Sequence, residues 1–472
     1  MSTTTLPHPP HRIPILGDLL TADPARPAQK LAELADQLGP IYDTKIFNKH
    51  LTVVSGPELY AELGDEKRFG KHIGFGFEES RRFLGDALAT AYSDEPNWSR
   101  AHNILMPAFT LSAMKNYHDT MLETARELIG YWDQRVGTGT VDVHTDTSKL
   151  TLETIARIGF GYRFNSFTSA EPDPYAAAVS RTFAYIGRAG FHIPVHWVEN
   201  LLHHKSVTQQ EEDVAYARGV VDDVIRARRA DPAAQPDDLL ALMLTTADPE
   251  TGQRLDDENI RNQVITFLNA GHETTSGTLS FALHLLATHP EIADRARAEL
   301  YSLWPAGTEP EPVFGDIHKL KYLRRVVDET LRLWPIAPGY FREPKQDTVL
   351  GGHPVEKGQA MLALTLQVQR DPAWGPDPLT FDPDRFLPDR ARTRPTGIYK
   401  PFGTGMRSCI GRQLALHESV LALALILHRY DLDPEPGYRL EVAEEFTLKP
   451  VGLRLGLRRR QGPAPGDGQP RP

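Results

Sequence analysis

The single cysteine of the chain, Cys409, lies in a loop whose neighbours favour a reactive thiolate. Glycines in this loop permit a tight turn and a close approach of the backbone to a flat ligand. The helix predicted over 410–429 would place the thiol near unpaired amides and the positive end of the helix dipole, and Arg407 adds a cation. A buried structural cysteine is the alternative interpretation. The loop is not a dinucleotide-binding motif, because Ser408 replaces the third glycine and no acidic strand end follows. Its sequence is Phe402-Gly403-Thr404-Gly405-Met406-Arg407-Ser408-Cys409-Ile410-Gly411.

A second polar cluster interrupts the long helix predicted from Asp256 to His289. Carboxylate and hydroxyl groups are costly to bury in an apolar helix, so their presence needs a reason. A His-Glu-x-x-His zinc site would require histidine at position 276, where the chain has serine, and zinc hydrolysis is therefore excluded. Taken alone, the paired threonines indicate a helix bent by hydroxyls that bond back to carbonyls. The cluster reads Ala270-Gly271-His272-Glu273-Thr274-Thr275-Ser276.

Two residue pairs at helical spacing add further polar groups. Trp98 and His102 are four residues apart in a helix predicted over 97–105, so they share a face that could clamp a carboxylate. An aromatic core contact with a surface histidine is the alternative. Glu329 and Arg332 stand at positions i and i+3, which by itself indicates a solvated pair worth about 0.3–0.5 kcal/mol.

The loop around Cys409 closely resembles the haem-binding signature of the cytochrome P450 superfamily, Phe-Gly-x-Gly-x-Arg-x-Cys-x-Gly. The resemblance implies that Cys409 is the axial thiolate of a haem b iron, where it donates electron density that promotes O–O cleavage. It also implies that Phe402 packs beside the thiolate and that Arg407 pairs with a haem propionate. The other cofactor-binding residues implied by the resemblance are Trp98, His102 and Lys71.

The same resemblance implies a haem-thiolate monooxygenase that inserts one oxygen atom of O₂ into an apolar substrate. Glu273 and Thr274 would be its acid-alcohol pair, opening the helix and delivering protons during oxygen activation. A peroxygenase and a non-catalytic haem-binding protein are the alternatives, and the presence of the pair argues against both. The implied structural network on the haem side of the core consists of Glu329, Arg332 and Arg385.

Several segments, at 163–167, 255–261 and 347–352, look like the haem domain of self-sufficient bacterial fatty-acid hydroxylases, which carry a fused diflavin reductase. This chain ends soon after its last strand-like stretch. We expect either a naturally stand-alone protein or a haem domain that ends in the remnant of a cut linker. We therefore expect electrons from a separate ferredoxin or flavodoxin. The basic residues expected to dock such an acidic donor are Arg100, Lys115, Arg412 and Lys400.

The substrate side departs from that subfamily. Lys49 keeps a basic residue near the channel mouth, but Val53 stands where a tyrosine is expected. Ala89 replaces a phenylalanine over the haem, which enlarges the space there. We therefore expect a substrate bulkier than a simple fatty acid, such as an apolar biosynthetic intermediate. The expected pocket residues are Lys49, Phe77, Leu84, Ala89, Ala337 and Phe446.

The composition limits the possible partners and locations. The chain has 472 residues, and 52 Lys+Arg against 62 Asp+Glu give a net charge of −10, which argues against nucleic-acid or anionic-membrane partners. One cysteine cannot form an intrachain disulfide and fits a reducing, cytoplasmic location. The longest wholly apolar run, Val420 to Leu427, is far shorter than the roughly 20 residues that a membrane span needs.

The helices and strands that the sequence pattern predicts indicate a mainly α protein with a small β part. The resemblance implies the cytochrome P450 fold, a triangular prism with an α-rich domain and a β-rich subdomain. We expect one haem domain over 1–460 and a disordered tail over 461–472. The β-rich part is expected at about 1–70 and 336–400, and the α-rich part at about 71–335 and 401–460. Strands are predicted at 41–47, 51–54 and 348–366, with hairpin turns at Gly351-Gly352 and 356–358.

Overall fold

The computed structural model describes residues 6–168, 173–188, 196–231 and 238–460. The predicted disordered tail lies outside these residues. The described part is mainly helical, as expected, with several small sheets. The helices are α1 Pro27–Leu38, α2 Pro57–Glu62, α3 Phe75–Leu84, α4 Pro96–Leu105, α5 Met114–Asp133, α6 Val143–Phe160, α7 Pro174–Arg188, α8 His196–Ala230, α9 Leu239–Thr245, α10 Asp257–Thr288, α11 Pro290–Leu303, α12 Phe314–Ile317, α13 Lys321–Leu333, α14 Thr365–Val368, α15 Pro388–Thr393 and α16 Arg412–Arg429.

The largest sheet joins two distant pieces of the chain, as the sequence predicted. Its five strands follow the order β1-β2-β8-β5-β3, and β2 pairs with β8 in parallel, with Thr52 opposite Met361. The remaining sheets have the orders β4-β12-β9, β10-β11 and β6-β7. The strands are β1 Ile41–Ile46, β2 Lys49–Val54, β3 Phe69–Lys71, β4 Thr140–Asp142, β5 Tyr340–Pro344, β6 Thr348–Leu350, β7 His353–Val355, β8 Met361–Ala363, β9 Tyr430–Pro434, β10 Val442–Glu445, β11 Thr447–Pro450 and β12 Arg454–Arg459.

The helical core is organised around α10, which packs closely against α6. A Cβ atom at Gly271 would come within 2.9 Å of the Ile155 side chain, so glycine permits this close crossing. Hydroxyls of α6 tie the two helices together, as where Thr151 Oγ1 donates to the His272 carbonyl at 2.8 Å. The Asp256 carboxylate caps α10 by accepting from the amide of Asn259 at 2.7 Å. The long helix predicted by the sequence is thus confirmed with its boundaries.

In the C-terminal half of the chain, one predicted hairpin is confirmed and three other predictions need correction. The Gly351-Gly352 hairpin is confirmed, since both glycines have positive φ, at 55° and 87°. The turn at 356–358 does not form a hairpin, because β7 pairs with β6 whereas β8 pairs with β2 and β5. Residues Thr365–Val368 form a short helix, so the predicted strand ends at Ala363. The segment predicted as α-rich over 401–460 also contains β9 to β12, which are too short to show a clear alternation.

None of the helices in the described ranges combines the length and the apolar composition required to cross a bilayer.

Candidate active site

The Cys409 loop is held in a tight conformation before α16. Gly403 and Gly405 adopt φ values of 72° and 70°, the left-handed region that glycine tolerates. The Cys409 amide donates to the Phe402 carbonyl at 2.8 Å, and the Met406 amide donates to Glu66 Oε1 at 2.8 Å. These bonds fix the cysteine three residues before α16, which begins at Arg412 and not at the predicted position 410.

The thiol of Cys409 is solvent-accessible, yet protein atoms surround it closely enough to change its acidity. Burial raises the pKa of the Cys409 thiol, while the Gly411 amide and the Arg412 charge lower it less. The sequence interpretation therefore needs a correction: the cation beside the thiol is Arg412, and the helix terminus does not outweigh burial. A metal cation bound to the sulfur would deprotonate the thiol outright, which the surrounding protein groups do not achieve.

Arg407, Trp98, His102 and Lys71 come together near this loop, as predicted. The Arg407 guanidinium lies 4.0 Å from the Trp98 ring centre and donates to the carbonyls of the 91–92 segment at 3.2 and 3.1 Å. Trp98 and His102 stack with ring centres 5.0 Å apart. The Lys71 ammonium donates to the Ala89 carbonyl.

The charges of this cluster fit an anionic cofactor. Burial, together with the nearby positive charges of Arg407 and Arg81, lowers the pKa of Lys71 to about 7. Cations that repel one another in a buried place are stabilised when a dianionic group lies between them. The two propionates of haem b have that charge, and the accessible Cys409 thiol is a suitable iron ligand. The residues present therefore fit a haem.

On α10, Glu273 and Thr274 lie where the helix surface becomes accessible. Ala270 is exposed although the eight residues before it are buried. Thr274 Oγ1 donates to the Ala270 carbonyl at 2.5 Å, and Glu273 Oε2 accepts from Thr447 Oγ1 at 3.3 Å. The helix continues without interruption through both residues, so the predicted opening is not observed. Back-bonding by Thr274, the alternative drawn from the sequence, is present.

The predicted pocket residues differ in how far they are exposed to solvent. Phe446 has a positive φ of 77° at the β10–β11 turn, and its ring centre lies 5.4 Å from that of Phe183. Ala337 is exposed, Ala89 is half-buried and Leu84 is buried in the core. Lys49, at the start of β2, is partly exposed, and Phe77 lies in α3 with its side chain outside the described set.

Val53 lies inside the largest sheet. Its side chain is fully buried at 0% exposure, and its register partners are Tyr42 on β1 and Leu362 on β8. Because Val53 is four positions from Lys49 on β2, the two residues are on the same face of the strand. A weaker capture of carboxylates beside Lys49 stays a prediction.

Glu329, Arg332 and Arg385 do form one network, and it is buried. Arg332 donates to both carboxylate oxygens of Glu329 at 2.7 and 2.8 Å, and Arg385 Nε lies 3.5 Å from Glu329 Oε1. Arg332 also donates to the Gln369 carbonyl at 2.7 Å, and Arg385 donates to the Trp374 carbonyl at 2.9 Å. The solvated alternative is wrong, because Glu329 and Arg332 are both 0% exposed.

Sequence reasoning missed several residues near the site. Phe83 and Phe183 approach to 6.2 Å between ring centres and extend the aromatic group that contains Phe446. Thr447, the donor to Glu273, carries no local signal. Glu418, on α16, did carry one, since it is a carboxylate two residues before the apolar run 420–427, and it is buried at 2% exposure.

The geometry of these groups fits the class of haem-thiolate proteins, with an accessible cysteine shortly before α16 and cations that could pair with propionates. The family model "Cytochrome P450" matches residues 7–456. The chain belongs to the cytochrome P450 family, which binds haem b.

Solved and curated relatives agree with this family. The chain is similar to the crystal structure of a cytochrome P450 named CYP102L1, with a TM-score of 0.88, 42% identity, and coverage of 97% of this chain and 99% of that one. It is 42% identical to the bifunctional cytochrome P450/NADPH–P450 reductase 2 of Bacillus subtilis over 92% of this chain and 41% of that protein. It is 36% identical to a self-sufficient cytochrome P450 monooxygenase of Phanerodontia chrysosporium over 98% of this chain and 43% of that protein. The chain thus spans less than half the length of these curated relatives.

Proposed function

We propose that this chain is a haem-thiolate monooxygenase that inserts one oxygen atom of O₂ into a C–H bond of a largely apolar substrate. The observation that carries the proposal is the combination of an accessible Cys409 with the Arg407–Lys71 cation cluster and the Glu273–Thr274 pair. The names of the relatives, which include monooxygenases and P450/reductase fusions, support it.

Haem with a thiolate ligand supplies the oxygen-activating redox chemistry when bound. Cys409 would be the iron ligand, with Phe402 beside it. The cluster of Arg407, Lys71, Trp98 and His102 would hold the propionates, and its stacking and hydrogen bonds would fix their orientation.

Glu273 and Thr274 would hold and move protons on the substrate side of α10. The Thr274 hydroxyl is held by the Ala270 carbonyl, from which it can rotate to donate elsewhere. The Thr447 hydroxyl orients the Glu273 carboxylate, which can accept a proton from solvent and pass it on. A positioned acid of this kind typically contributes about 10²–10⁴-fold to rate.

The substrate would be wider than a straight chain. The small Ala89 and Ala337 would leave room, whereas the partly exposed Phe446, supported by the buried Phe183, would supply apolar contact. Burial of apolar surface stabilises the complex by about 25 cal/mol per Å², whereas one exposed ion pair at Lys49 adds about 0–1 kcal/mol. Apolar shape would therefore decide affinity.

Electrons would come from an acidic ferredoxin or flavodoxin that docks beside the Cys409 loop. Arg412 and Lys115 are exposed there, and the neighbouring Met406 is 66% exposed, which offers apolar contact. Lys400 is less suitable than the sequence suggested, because its ammonium lies 4.7 Å from the Tyr60 ring centre and burial lowers the pKa of Lys400 to about 8. A cytoplasmic location stays a prediction from the single cysteine.

Incorporation of isotopically labelled O₂ tests the proposal against both alternatives. The haem-loaded chain would be given a ferredoxin, its reductase, NADPH and a bulky apolar amide. Labelled oxygen in the product supports a monooxygenase. Product formed with hydrogen peroxide but not with O₂ and electrons would indicate a peroxygenase, and no product in either arm would indicate a non-catalytic protein.

The docking surface has a separate test in the rate of haem reduction. This rate should fall steeply between low and high ionic strength, because the Debye length shrinks to about 3 Å at 1 M salt. Arg412→Gln should weaken the salt dependence, whereas Arg226→Gln, in the exposed part of α8, should not. A reduction rate independent of salt would contradict charged docking.

A further inference from the structure

Two neighbouring polar side chains of α10 are buried without partners. Asn269 is 6% exposed and Thr266 is 5% exposed. Within the described part of the chain, neither the Asn269 amide nitrogen nor its oxygen has a hydrogen-bond partner, and the Thr266 hydroxyl has none either. Buried polar groups are nearly always hydrogen-bonded, and those that are not commonly serve a ligand or a water.

These two residues lie close to the reacting groups. They are three positions apart on α10, so their Cβ atoms are about 5–6 Å apart on one face. Asn269 directly precedes the exposed Ala270, and Glu273 follows one helical turn later. Thr275 also has an unpartnered hydroxyl, but it lies about 120° around the helix from Asn269.

Polar side chains nearer the start of the same helix are paired. One turn and two turns before Thr266, Asn262 and Asn259 donate to Asp86 Oδ1 at 3.3 and 2.9 Å. Gln263 accepts from the Leu88 amide at 3.1 Å and donates to Asn259 at 3.1 Å. The segment 86–88 therefore pairs with the polar side chains at 259–263 of α10. The polar groups of Thr266 and Asn269, further along the helix, are left for another group.

We propose that Asn269 and Thr266 form a polar subsite for a primary carboxamide of an otherwise apolar substrate. This inference rests on the proposed monooxygenase function and specifies its substrate class. The Asn269 NH₂ would donate to the ligand carbonyl, its oxygen would accept from the ligand N–H, and Thr266 would complete the set.

The chemistry of the subsite favours an amide over an acid. A carboxylate offers acceptors only, so the Asn269 oxygen would stay unmatched. The flanking Ile265, Phe267 and Leu268 are buried, and a polar contact in such surroundings discriminates strongly against ligands that lack the matching group. The amide would then lie about one helical turn from Glu273. The carbon that reacts would therefore be a short distance along the substrate from the amide.

Matched ligands on the haem-loaded chain test the subsite. The probes are dodecanamide and methyl dodecanoate, which carry an amide NH₂ and an ester oxygen on the same acyl chain, and the readout is the dissociation constant from Soret titration. We expect the wild type to bind the amide at least tenfold more tightly than the ester. Asn269→Leu, which has a similar volume, should reduce that ratio to below threefold. Thr275→Val, which removes an unpartnered hydroxyl on the other side of the helix, should leave the ratio unchanged.

Thermal unfolding without ligand supplies a second readout. Removal of an unsatisfied amide should raise the Tm of Asn269→Leu. If Asn269→Leu does not load haem, Thr266→Val is tested instead. We expect this variant to reduce the preference for the amide over the ester about threefold. A ratio that is the same in the wild type and in the Asn269 or Thr266 variant would overturn the proposal and leave an ordered water as the partner of these groups.

Failure of the proposed function is recognised separately. The ferrous carbon monoxide spectrum and the labelled-oxygen assay are recorded on the same wild-type preparation. Loss of those signals would contradict the monooxygenase, whereas intact signals with an unselective subsite would contradict the amide inference alone.

Discussion

Replacement of Glu418 by glutamine should remove a large pH dependence of stability. Glu418 lies on α16, 2% exposed, with one carboxylate oxygen lacking a partner in the described structure. Burial raises the pKa of Glu418 from 4.5 to about 8, opposed weakly by a hydrogen bond with Thr154. Between these values the folded state binds more protons than the unfolded state, so stability falls as pH rises from about 4.5 to 8.

The magnitude follows from the two pKa values. At about 1.4 kcal/mol per pH unit, the interval from 4.5 to about 8 corresponds to at most about 5 kcal/mol. A chain of 472 residues has an unfolding entropy of about 1 kcal/mol/K near its Tm, so this energy corresponds to a Tm change of about 5 °C. Glutamine keeps the shape of the side chain but cannot ionise.

The assay is thermal unfolding of the haem-loaded protein at pH 5 and at pH 8. The Tm of Glu418→Gln minus that of the wild type should rise by several degrees between these pH values. Glu435→Gln, an exposed position, serves as the control and should show no such rise. A Glu418→Gln difference that stays constant with pH would refute the reasoning, because the buried group would then not retain its proton in the folded state.

Three further substitutions have clear expected results. Thr274→Ala should raise the NADPH consumed per product and release hydrogen peroxide, since the proton donor held by Ala270 is lost; wild-type coupling would contradict the relay. Ala89→Phe should weaken binding of a bulky apolar amide in Soret titrations while affecting straight-chain fatty acids less, and an unchanged ranking would contradict a widened pocket. Arg332→Lys should cost about 3–5 kcal/mol, seen as a Tm lower by several degrees, because it breaks a buried bidentate pair; an unchanged Tm would show that the pair adds little.

Local spacing in the sequence was sufficient to predict the elements that carry the chemistry. The Cys409 loop, the stacked Trp98–His102 pair and the long helix that carries Glu273 depend on residues within one or two turns of one another, although the opening expected at Glu273 and Thr274 is not observed. Their placement could therefore be predicted from helix periodicity, glycine positions and a recognisable motif. The joining of Arg385 to Glu329 required the family resemblance, since no local pattern connects them.

Contacts between distant segments could not be predicted in the same way. Thr447 reaches Glu273 across 174 positions, because the β10–β11 turn packs against α10. The burial of Val53 depends on the pairing of β2 with both β1 and β8, and β8 lies about 300 positions further along the chain. Asn269 had a visible signal, an amide directly after the largely apolar run 264–268, yet only the three-dimensional contacts show that it lacks a partner in the described part of the chain.

The most direct test of the account is the ferrous carbon monoxide spectrum of the wild type and of Cys409→Ser. Thiolate ligation shifts the Soret band of this complex to long wavelength, so the wild type should show the shifted band. Cys409→Ser should lose it, and Arg412→Gln should retain it as a control for loss of the neighbouring charge. A wild type without the shifted band, or a Cys409→Ser variant with an unchanged spectrum, would contradict the assignment of Cys409 as the haem ligand.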